Sequence, residues 1–460
     1  MQKLYKIILI WVAFIAIGLG GYKFYQLTQE LQIVKQEKAK SEKIAQQKIT
    51  ALKEKLADKA MQNAFLKKEK PSPAEIAKRY NKEYIVRKKV LQLSDNIKGV
   101  YITKHIANAD SQDLYAQKVL EDIKKLLKET ELNAVVIDVK EADGFQLSDS
   151  LKRLIDEFHK DNIWVIARFV AFRDSSLIEE KPQLYLKKEN GDLWQDEKGY
   201  FWLDPASSQV QKYLLDLCYK VIDFGFDEIQ FDYVRFPAKD KGAIYPIYNK
   251  ENKEKHKVIR EFFLKIRNNL RAYKPDIVLS IDLFGETATR FASPEIGQDL
   301  ADTVDVFDYV SFMLYPSHFF QGFEIEKDTK RQLPHLFFPY ESEDINKVAS
   351  NNPYPIILRS IFSASDYLSL CYSQNSQNHL QPQCPGKGFS FLFCPQPKIR
   401  PWLQGFDLKS DSSRGIFYDA EKIKAQIKAA EDGGASGWLI WDPSNTYTST
   451  KQALKIHPVK

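Results

Sequence analysis

Cysteine and histidine are scarce in this chain, which has four cysteines and seven histidines among its 460 residues. No Cys-x-x-Cys pair and no His-Glu-x-x-His sequence occurs, so the common zinc-site patterns are absent and we expect neither a metal nor a cofactor. Cys218 lies on the apolar side of a predicted helix, which favours a buried free thiol. Cys371, Cys384 and Cys394 fall in one polar stretch, where a Cys371–Cys384 bridge is our first expectation if the domain lies outside the cytoplasm.

Glycine-rich phosphate-binding turns are also missing, because no Gly-x-Gly-x-x-Gly or Walker sequence follows any predicted strand. Their absence argues against a dinucleotide-binding sheet and against a cytosolic phosphate-binding enzyme. The net charge of +6 comes largely from lysines before residue 90. Because no concentrated basic patch accompanies base-stacking aromatic residues, we expect no nucleic-acid partner.

An uninterrupted apolar run occupies residues 7–21, after Lys3 and Lys6. It is short for a membrane span, which needs about 20 residues, but Tyr22 and Tyr25 near its far edge can extend it. No clear Ala-x-Ala cleavage site follows. We therefore predict a signal-anchor over residues 1–22 of a single-pass cell-membrane protein, with the rest of the chain on the extracytoplasmic side. Secretion after signal cleavage is the alternative.

The segment that follows has the composition of a helix. Residues 23–69 contain no glycine and no proline and are rich in Lys, Glu, Gln and Ala. Spacings of three and four recur within two apolar groups, Leu27, Leu31, Val34 and Ile49, Leu52, Leu56. This predicts a helical stalk over residues 23–70, with a coiled coil and oligomerisation left open because the seam breaks between the groups. Residues 71–96 are predicted to be a linker.

From about residue 97 short apolar runs alternate with segments of helical periodicity. The runs occupy residues 98–103, 133–139, 163–170, 228–234, 277–283, 309–314, 399–404 and 438–441. Eight such strands separated by helix-length segments predict an α/β fold, a (β/α)₈ TIM barrel over residues 97–455. An open doubly wound sheet fits less well. The domain exceeds the usual ~250 residues, and the excess follows strands three, four and six, where barrel enzymes keep their sites.

Polar and aromatic side chains stand at the carboxyl ends of seven of these strands. A barrel interior is normally filled with branched apolar side chains, so polar residues of the inward parity need another explanation. The residues are Asp138, Lys140, Arg168, Gln230, Asp232, Arg235, Ser280, Asp282, Ser311, Tyr315, Trp402, Gln404, Trp441 and Asp442. Together they predict a polar floor with aromatic platforms.

That combination suits an oligo- or polysaccharide, since carboxylates and amides bind hydroxyl groups and aromatic faces pack on sugar rings. Cleavage of a glycosidic bond additionally needs two carboxyl groups. Asp232 and Asp282 end adjacent strands, whose spacing of about 4.8 Å makes a pair possible. Glu141 and Glu286 are alternative carboxyls just beyond strands two and five. Structural roles, as loop caps or as ion-pair partners, are the competing interpretation for the other charged residues.

Six segments in this order carry a resemblance to a known family. They occupy residues 135–140, 166–174, 225–237, 309–318, 399–404 and 437–445, and the most specific reads Gly-Phe-Asp-Glu-Ile-Gln-Phe-Asp-Tyr-Val-Arg-Phe-Pro. The chain resembles, over roughly residues 97–450, the bacterial glycoside hydrolase domain family known as the DUF4015 group. The resemblance implies a TIM barrel related to amylase-like and galactosidase-like hydrolases, in which a strand-four Asp is commonly the nucleophile, here Asp232. Trp-Asp-Pro replaces the expected Trp-Asn-Pro at Asp442, and residues 366–397 look like an insertion.

We therefore expect a glycoside hydrolase or transglycosylase that acts on cell-surface or extracellular polysaccharide, with Asp232 as nucleophile and Asp282 as acid/base. The predicted sugar-binding residues are Asp138, Lys140, Arg168, Gln230, Arg235, Tyr315, Trp402, Gln404 and Trp441. The alternative is a non-catalytic carbohydrate-binding or envelope-organising barrel that lacks the acid. Fold analogy alone supports a reaction class weakly and a substrate not at all.

Overall fold

The computed structural model describes residues 85–86, 89–377 and 396–455, all within the unit Tyr80–Lys460. Eight parallel strands close into a barrel, because the first strand pairs with both the second and the eighth. They are β1 Ile97–Ile102, β2 Ala134–Glu141, β3 Trp164–Val170, β4 Glu228–Asp232, β5 Val278–Phe284, β6 Tyr309–Met313, β7 Trp402–Gln404 and β8 Gly437–Trp441. The predicted TIM barrel is confirmed, and each predicted strand overlaps an observed one.

Helices of one and a half to seven turns surround the barrel. They are α1 Leu114–Glu129, α2 Asp149–Lys160, α3 Ser208–Phe224, α4 Lys255–Tyr273, α5 Pro353–Gln377, α6 Ala420–Asp432 and α7 Thr448–Ala453. Their starts follow local chemistry: the Ser148 hydroxyl, for example, accepts the N–H of Leu151 and caps α2. The buried face of α2 then repeats every three or four residues, as a helix on a barrel requires.

The connection between β5 and β6 has no long helix. It contains the single turn Thr287–Arg290 and the 3₁₀ turn Leu300–Thr303 instead. Other single helical turns are Lys104–Ala107, Tyr248–Glu251 and Lys409–Ser412, and the remaining 3₁₀ turns are Pro182–Leu184, Pro316–His318, Ile345–Lys347 and Ala349–Asn351. Short strands lie at Gly144–Phe145, Ala292–Ser293, Gln298–Asp299, Phe323–Ile325, Leu336–Phe338 and Lys398–Ile399.

The predicted seventh strand is split in two. Lys398–Ile399 pairs with β6, and Trp402–Gln404 pairs with β8 and touches β6 at one position. Pro401 separates the two pieces, because proline has no backbone N–H for a strand ladder. The barrel closes between β1 and β8 at Gly437, where a Cβ would lie 1.9 Å from the carbonyl oxygen of Ile97.

The lower part of the barrel interior contains a buried ion pair. Arg400 donates from Nη1 and Nη2 to Oε2 of Glu228, at 3.1 Å each, and both side chains are fully buried. The indole N–H of Trp164 and the hydroxyl of Ser280 also donate to the Glu228 carboxylate. Below this pair, Ser94 hydrogen-bonds the hydroxyl of Tyr309 and helps to close the amino-terminal end of the barrel.

The signal-anchor, the stalk and most of the linker lie outside the described residues. Among those that the structure does describe, no helix has the length and apolar character of a membrane span. Cys218 is buried and carries a free thiol, as expected, and Cys371 is also a free thiol. Cys384 and Cys394 lie outside the described residues.

Replacing Arg400 with methionine should destabilise the barrel strongly, because it leaves the Glu228 carboxylate buried without its counter-ion. We expect the free energy of unfolding to fall by about 3–5 kcal/mol, measured by chemical denaturation. Adding Glu228→Gln to Arg400→Met should recover part of the loss. Lys212→Met removes an exposed ion pair to Asp216 and should leave stability nearly unchanged. Equal effects of Arg400→Met and Lys212→Met would contradict a structural role for the buried pair.

Candidate active site

One arginine connects the carboxylates at the upper ends of β2 and β4. Arg168, near the end of β3, donates from Nη1 to Oδ1 of Asp138 at 2.7 Å and also to Glu141. Its Nη2 and Nε both donate to Oδ2 of Asp232, at 2.5 and 3.1 Å. Burial acts to lower the pKa of Arg168, but the three surrounding carboxylates outweigh it and hold the pKa well above its ordinary value. The guanidinium therefore stays charged.

The second carboxyl oxygen of Asp138, Oδ2, accepts a hydrogen bond from the Tyr101 hydroxyl. Burial is the main reason that the pKa of Asp138 rises to about 7, with the charge of Arg168 opposing the rise and that of Glu141 adding to it. Asp138 thus changes charge near neutral pH while it remains in contact with the central guanidinium.

The backbone turns sharply immediately after Asp232. Tyr233 has a φ of +51°, in the left-handed region that residues other than glycine seldom adopt. Its N–H donates to Oδ1 of Asp232 at 2.6 Å. Three N–H donors, two from Arg168 and one from Tyr233, therefore orient this carboxylate at the end of β4. Backbone strain of this kind is concentrated at functional sites.

Asp282 occupies the neighbouring strand position. Phe231 and Ile281 are register partners, and Asp232 and Asp282 are the next residues on β4 and β5. Asp282 is 1% exposed, and the indole N–H of Trp402 donates to its Oδ1 at 2.8 Å. Burial, followed by the nearby charge of Asp232, raises the pKa of Asp282 well above its ordinary value. Its protonated form is therefore favoured more than in an ordinary aspartate.

Aromatic rings form the floor and one side of the site. Tyr315 and Trp441 are stacked with centroids 5.3 Å apart, and Phe406 meets both edge-on at 5.6 and 5.1 Å. Tyr101 contacts Trp402 and Trp441 edge-on at 6.5 and 6.3 Å. Burial raises the pKa of the Tyr315 phenol, which stays neutral. These rings come from β1, β7, β8 and the loops after β6 and β7.

The structure does not bring Lys140 into this group. Between Asp138 and Lys140 the register of β2 against β3 shifts, so that Lys140 pairs with Phe169, a residue of the outer core. The bulge turns the lysine outward. Its Nζ lies 2.8 Å from Oδ2 of Asp174, and both side chains are fully buried. Lys140 faces outward because the alternation of inward and outward residues is interrupted at a bulge. It therefore pairs with Asp174 on the outer side of β2 and does not reach the site.

Gln230 and Gln404 point inward but are engaged by neighbouring groups. The amide nitrogen of Gln230 donates to Ser311 at 3.2 Å, deeper in the barrel than Asp232. Gln404 accepts from the hydroxyl of Ser317 at 2.9 Å and donates to the carbonyl of Phe406 at 2.9 Å. Both side chains are fully buried. They support the loops and the layer beneath the site.

The alternative carboxyls have other partners. Glu141 is half-buried and is paired with Arg168, whereas Glu286 is 40% exposed and is paired with Arg290. Asp442 accepts the N–H and the hydroxyl of Ser444, at 2.8 and 2.6 Å, and is a turn residue. Asp282 is therefore the carboxyl that the geometry places beside Asp232.

Four residues in contact with the site were not predicted. Tyr101, Arg173, Tyr233 and Phe406 contact Asp138, Glu141, Asp232 and Trp441 respectively. Tyr101 could have been found, because it has the inward parity near the end of β1, the one strand without an assigned side chain. Arg173 and Phe406 lie on loops, where strand parity gives no information. Tyr233 was expected on the outward side of the fourth strand, which is wrong because the strand ends at Asp232 and the backbone turns at Tyr233.

One group among the described residues could hold a metal ion. Ligand atoms of His256, Asp299 and Asp302 lie within 4.8 Å of one another. His256 is hydrogen-bonded to Asp302 at 3.1 Å and to Glu254 at 2.9 Å. These bonds account for the cluster without an ion, and its residues are not among those that contact Asp232 or Asp282.

A closed parallel barrel with carboxyls and aromatic rings at the carboxyl ends of its strands is a glycoside-hydrolase-like (β/α)₈ barrel. The chain belongs to the DUF4015 family, described as "putative glycosyl hydrolase domain", whose model matches residues 99–447. The recognition made from the sequence is confirmed. A search of the curated proteins finds no match for this chain.

Several solved structures are similar to this chain. The glycoside hydrolase domain of PgaB (BpsB) from Bordetella bronchiseptica is 11% identical and matches 78% of this chain and 97% of its own, with a TM-score of 0.50. A hypothetical protein from Ruminiclostridium thermocellum ATCC 27405 is 33% identical over 40% of this chain and 96% of its own, with a TM-score of 0.34. The α-galactosidase TtGalA from Thermus thermophilus is 12% identical, covering 78% and 60%, with a TM-score of 0.43.

The high pKa of Asp138 has a consequence for stability. A carboxyl whose pKa is higher in the folded than in the unfolded chain binds more protons when folded, so its contribution to stability falls as pH rises from about 4 to about 7. Asp138→Asn removes this titration. The variant should therefore gain stability relative to the natural protein over that pH range, measured by denaturation at several pH values. Parallel stability profiles would contradict the assignment.

Proposed function

We propose that the protein is a glycoside hydrolase or transglycosylase in which Asp232 is the nucleophile and Asp282 is the acid/base. The observation that carries this proposal is the difference in electrostatic surroundings between two neighbouring carboxyls. Asp232 is paired with the Arg168 cation, whereas burial and the charge of Asp232 raise the pKa of Asp282. Carboxyl pairs whose environments separate their protonation states are the usual basis of acid and nucleophile assignments in such enzymes.

The proposed first step uses the lone pairs and the proton that the site holds. An Asp232 oxygen attacks the anomeric carbon, and the bond to the leaving oxygen breaks as Asp282 transfers its proton to that oxygen. In the second step Asp282, now a carboxylate, takes a proton from water or from an acceptor hydroxyl, which displaces Asp232. The adjacent positions of the two residues on neighbouring strands, about 4.8 Å apart, are compatible with this retaining chemistry.

Arg168 and Trp402 would position the two carboxyls. Arg168 holds Oδ2 of Asp232, which leaves Oδ1 as the oxygen with only one donor. Trp402 holds Oδ1 of Asp282 and leaves Oδ2 to carry the proton. The stacked Tyr315 and Trp441 would form a platform for a sugar ring, and Asp138 and Arg235 would bind hydroxyl or other polar groups.

The second candidate is a non-catalytic carbohydrate-binding barrel. The observation in its favour is that Arg168 and the Tyr233 N–H already engage both oxygens of Asp232. A carboxylate held in this way can serve as a hydrogen-bond acceptor for a sugar without any bond being broken. Binding of a glycan without turnover would support this candidate.

The location of the reaction rests on residues 1–70. If residues 1–22 anchor the chain and residues 23–70 form a stalk, the barrel would act on polysaccharide at the cell surface or outside the cell. This part of the proposal is supported by the apolar run and the helical composition alone.

The two aspartates should fail in different ways when each is replaced by asparagine. Turnover would be measured as reducing-sugar release from a glycan panel and as phenol release from 2,4-dinitrophenyl glycosides. Asp282→Asn should lower glycan turnover about 10²–10⁴-fold but affect the dinitrophenyl substrates much less, because that leaving group needs no proton. Asp232→Asn should abolish turnover of both. Asp442→Asn, at the turn residue, should retain activity; equal loss in all three variants, or no turnover by the natural protein, would contradict the proposal.

Trp402→Phe provides a finer test, because it removes the N–H that stabilises the charged form of Asp282 while keeping an aromatic ring. Loss of that donor should raise the pKa of Asp282 further. The alkaline limb of the kcat/KM profile should therefore move to higher pH. An unchanged alkaline limb would indicate that Asp282 is not the acid.

A further inference from the structure

Two arginines beside Asp232 are packed around a single tyrosine ring. The guanidinium carbon of Arg173 lies 3.8 Å from the centroid of Tyr233, and that of Arg235 lies 4.8 Å from the same centroid. Arg173 is in the loop after β3 and Arg235 in the loop after β4. Arg235 also lies 4.8 Å from the ring of Phe284, at the end of β5. We call Arg173, Tyr233 and Arg235 the arginine subsite.

Neither arginine has a carboxylate within hydrogen-bond distance. The carboxylate nearest to Arg173 is Glu141, at 4.0 Å, and Glu141 is already bonded to Arg168. The buried Nε of Arg173 has no partner. Arg235 is 9% exposed and makes one hydrogen bond, from Nη1 to the carbonyl of Phe236 at 3.1 Å. Within the described part of the chain, Arg235 forms no ion pair.

Arginines on neighbouring strands of the barrel have carboxylate partners, whereas Arg359 of α5, which is also buried, donates to backbone carbonyls. Arg168 faces three carboxylates and Arg400 makes two bonds to Glu228. A buried cation without a counter-ion is costly, and cation–π contacts of about 0.5–2 kcal/mol offset that cost only in part. Burial accordingly lowers the pKa of Arg235. Arg173 and Arg235 pack against one ring next to the candidate nucleophile. An anion bound there would supply the hydrogen-bond acceptors that the two guanidinium groups lack.

The chemistry of arginine selects the kind of group that can supply these acceptors. A guanidinium has five donors and no acceptor, so it cannot reciprocate the donor half of a sugar hydroxyl. It matches a carboxylate, which only accepts and binds the planar fork through two oxygens. The hydroxyl groups of neutral sugars are bound better by a combination of acceptors and donors, such as the carboxylates around Arg168 together with its guanidinium.

We propose that the arginine subsite binds the carboxylate of an acidic sugar, so that the substrate is a glycan containing uronic acid. This inference rests on the proposed function, because it takes the bound glycan to be the substrate. The binding itself does not require turnover. The uronic-acid unit would lie next to Asp232, with its carboxylate between Arg173 and Arg235. Specificity then comes from an anion that bonds both Arg235, which has no ion pair among the described residues, and Arg173, whose nearest carboxylate lies 4.0 Å away.

The test compares matched ligands on the full-length protein. Oligosaccharides of glucuronate, galacturonate and mannuronate would be measured by calorimetry beside their carboxyl-reduced counterparts, which differ only in a primary alcohol, and beside a sulfated neutral oligosaccharide. At least one uronate should bind roughly 10- to 100-fold more tightly than its reduced counterpart. Equal affinity for the reduced ligand, stronger binding of the sulfated ligand, or no binding of any uronate would overturn the proposal.

Variants locate the effect. Arg173→Gln and Arg235→Gln should each lower the affinity for the uronate much more than the affinity for the reduced ligand, so that most of the preference is lost. Arg153→Gln, at an exposed position of α2, should behave as the natural protein. If a Gln variant does not fold by circular dichroism, Arg235→Lys keeps the charge and should retain part of the preference. A preference that persists in both Gln variants would place the carboxylate elsewhere.

Failure of this inference and failure of the proposed function give different results. Selective uronate binding without turnover of any glycan would support the arginine subsite and contradict the hydrolase. Turnover of neutral glycans at the rate of their acidic counterparts would support the hydrolase and contradict the subsite.

Discussion

The site depends on the ion pairs between Arg168 and three carboxylates. A buried guanidinium is stabilised by anions around it, and here those anions are Asp138 and Glu141 of β2 and Asp232 of β4. This arrangement fixes the orientation of Asp138 and Asp232 and aligns the ends of three neighbouring strands. Burial, followed by the nearby Asp232 carboxylate, raises the pKa of the second aspartate, Asp282.

Buried charged groups occur at three places in the barrel. Glu228 and Arg400 neutralise one another in the lower interior, and Lys140 and Asp174 do so on the outer side of β2. Around Tyr233, Arg173 and Arg235 have no carboxylate within hydrogen-bond distance among the residues that the structure describes. Complete pairs contribute to structure, whereas an incomplete set at the carboxyl ends of the strands is where an external ligand can contribute the missing group.

Much of the architecture could be predicted because barrel strands are short, apolar and regularly spaced. The predicted ranges overlap all eight strands, and inward parity correctly grouped Asp138, Arg168, Asp232, Asp282 and Trp402. Parity failed where the backbone is irregular. The bulge in β2 turned Lys140 outward, and Pro401 divided the seventh strand. Loop residues such as Arg173 had no periodicity from which their position could be inferred.

The sequence by itself determined the strand order, the end of the barrel that carries the polar residues, and the position of the strand-four aspartate at that end. These depend on hydrophobic periodicity and chain connectivity, which are local properties. Only the tertiary structure decided which groups pair. The sharing of Arg168 by Asp138 and Asp232, the raised pKa of Asp282 and the unpaired charge of Arg235 all depend on distance and burial. Those quantities arise when remote segments meet, and no local pattern encodes them.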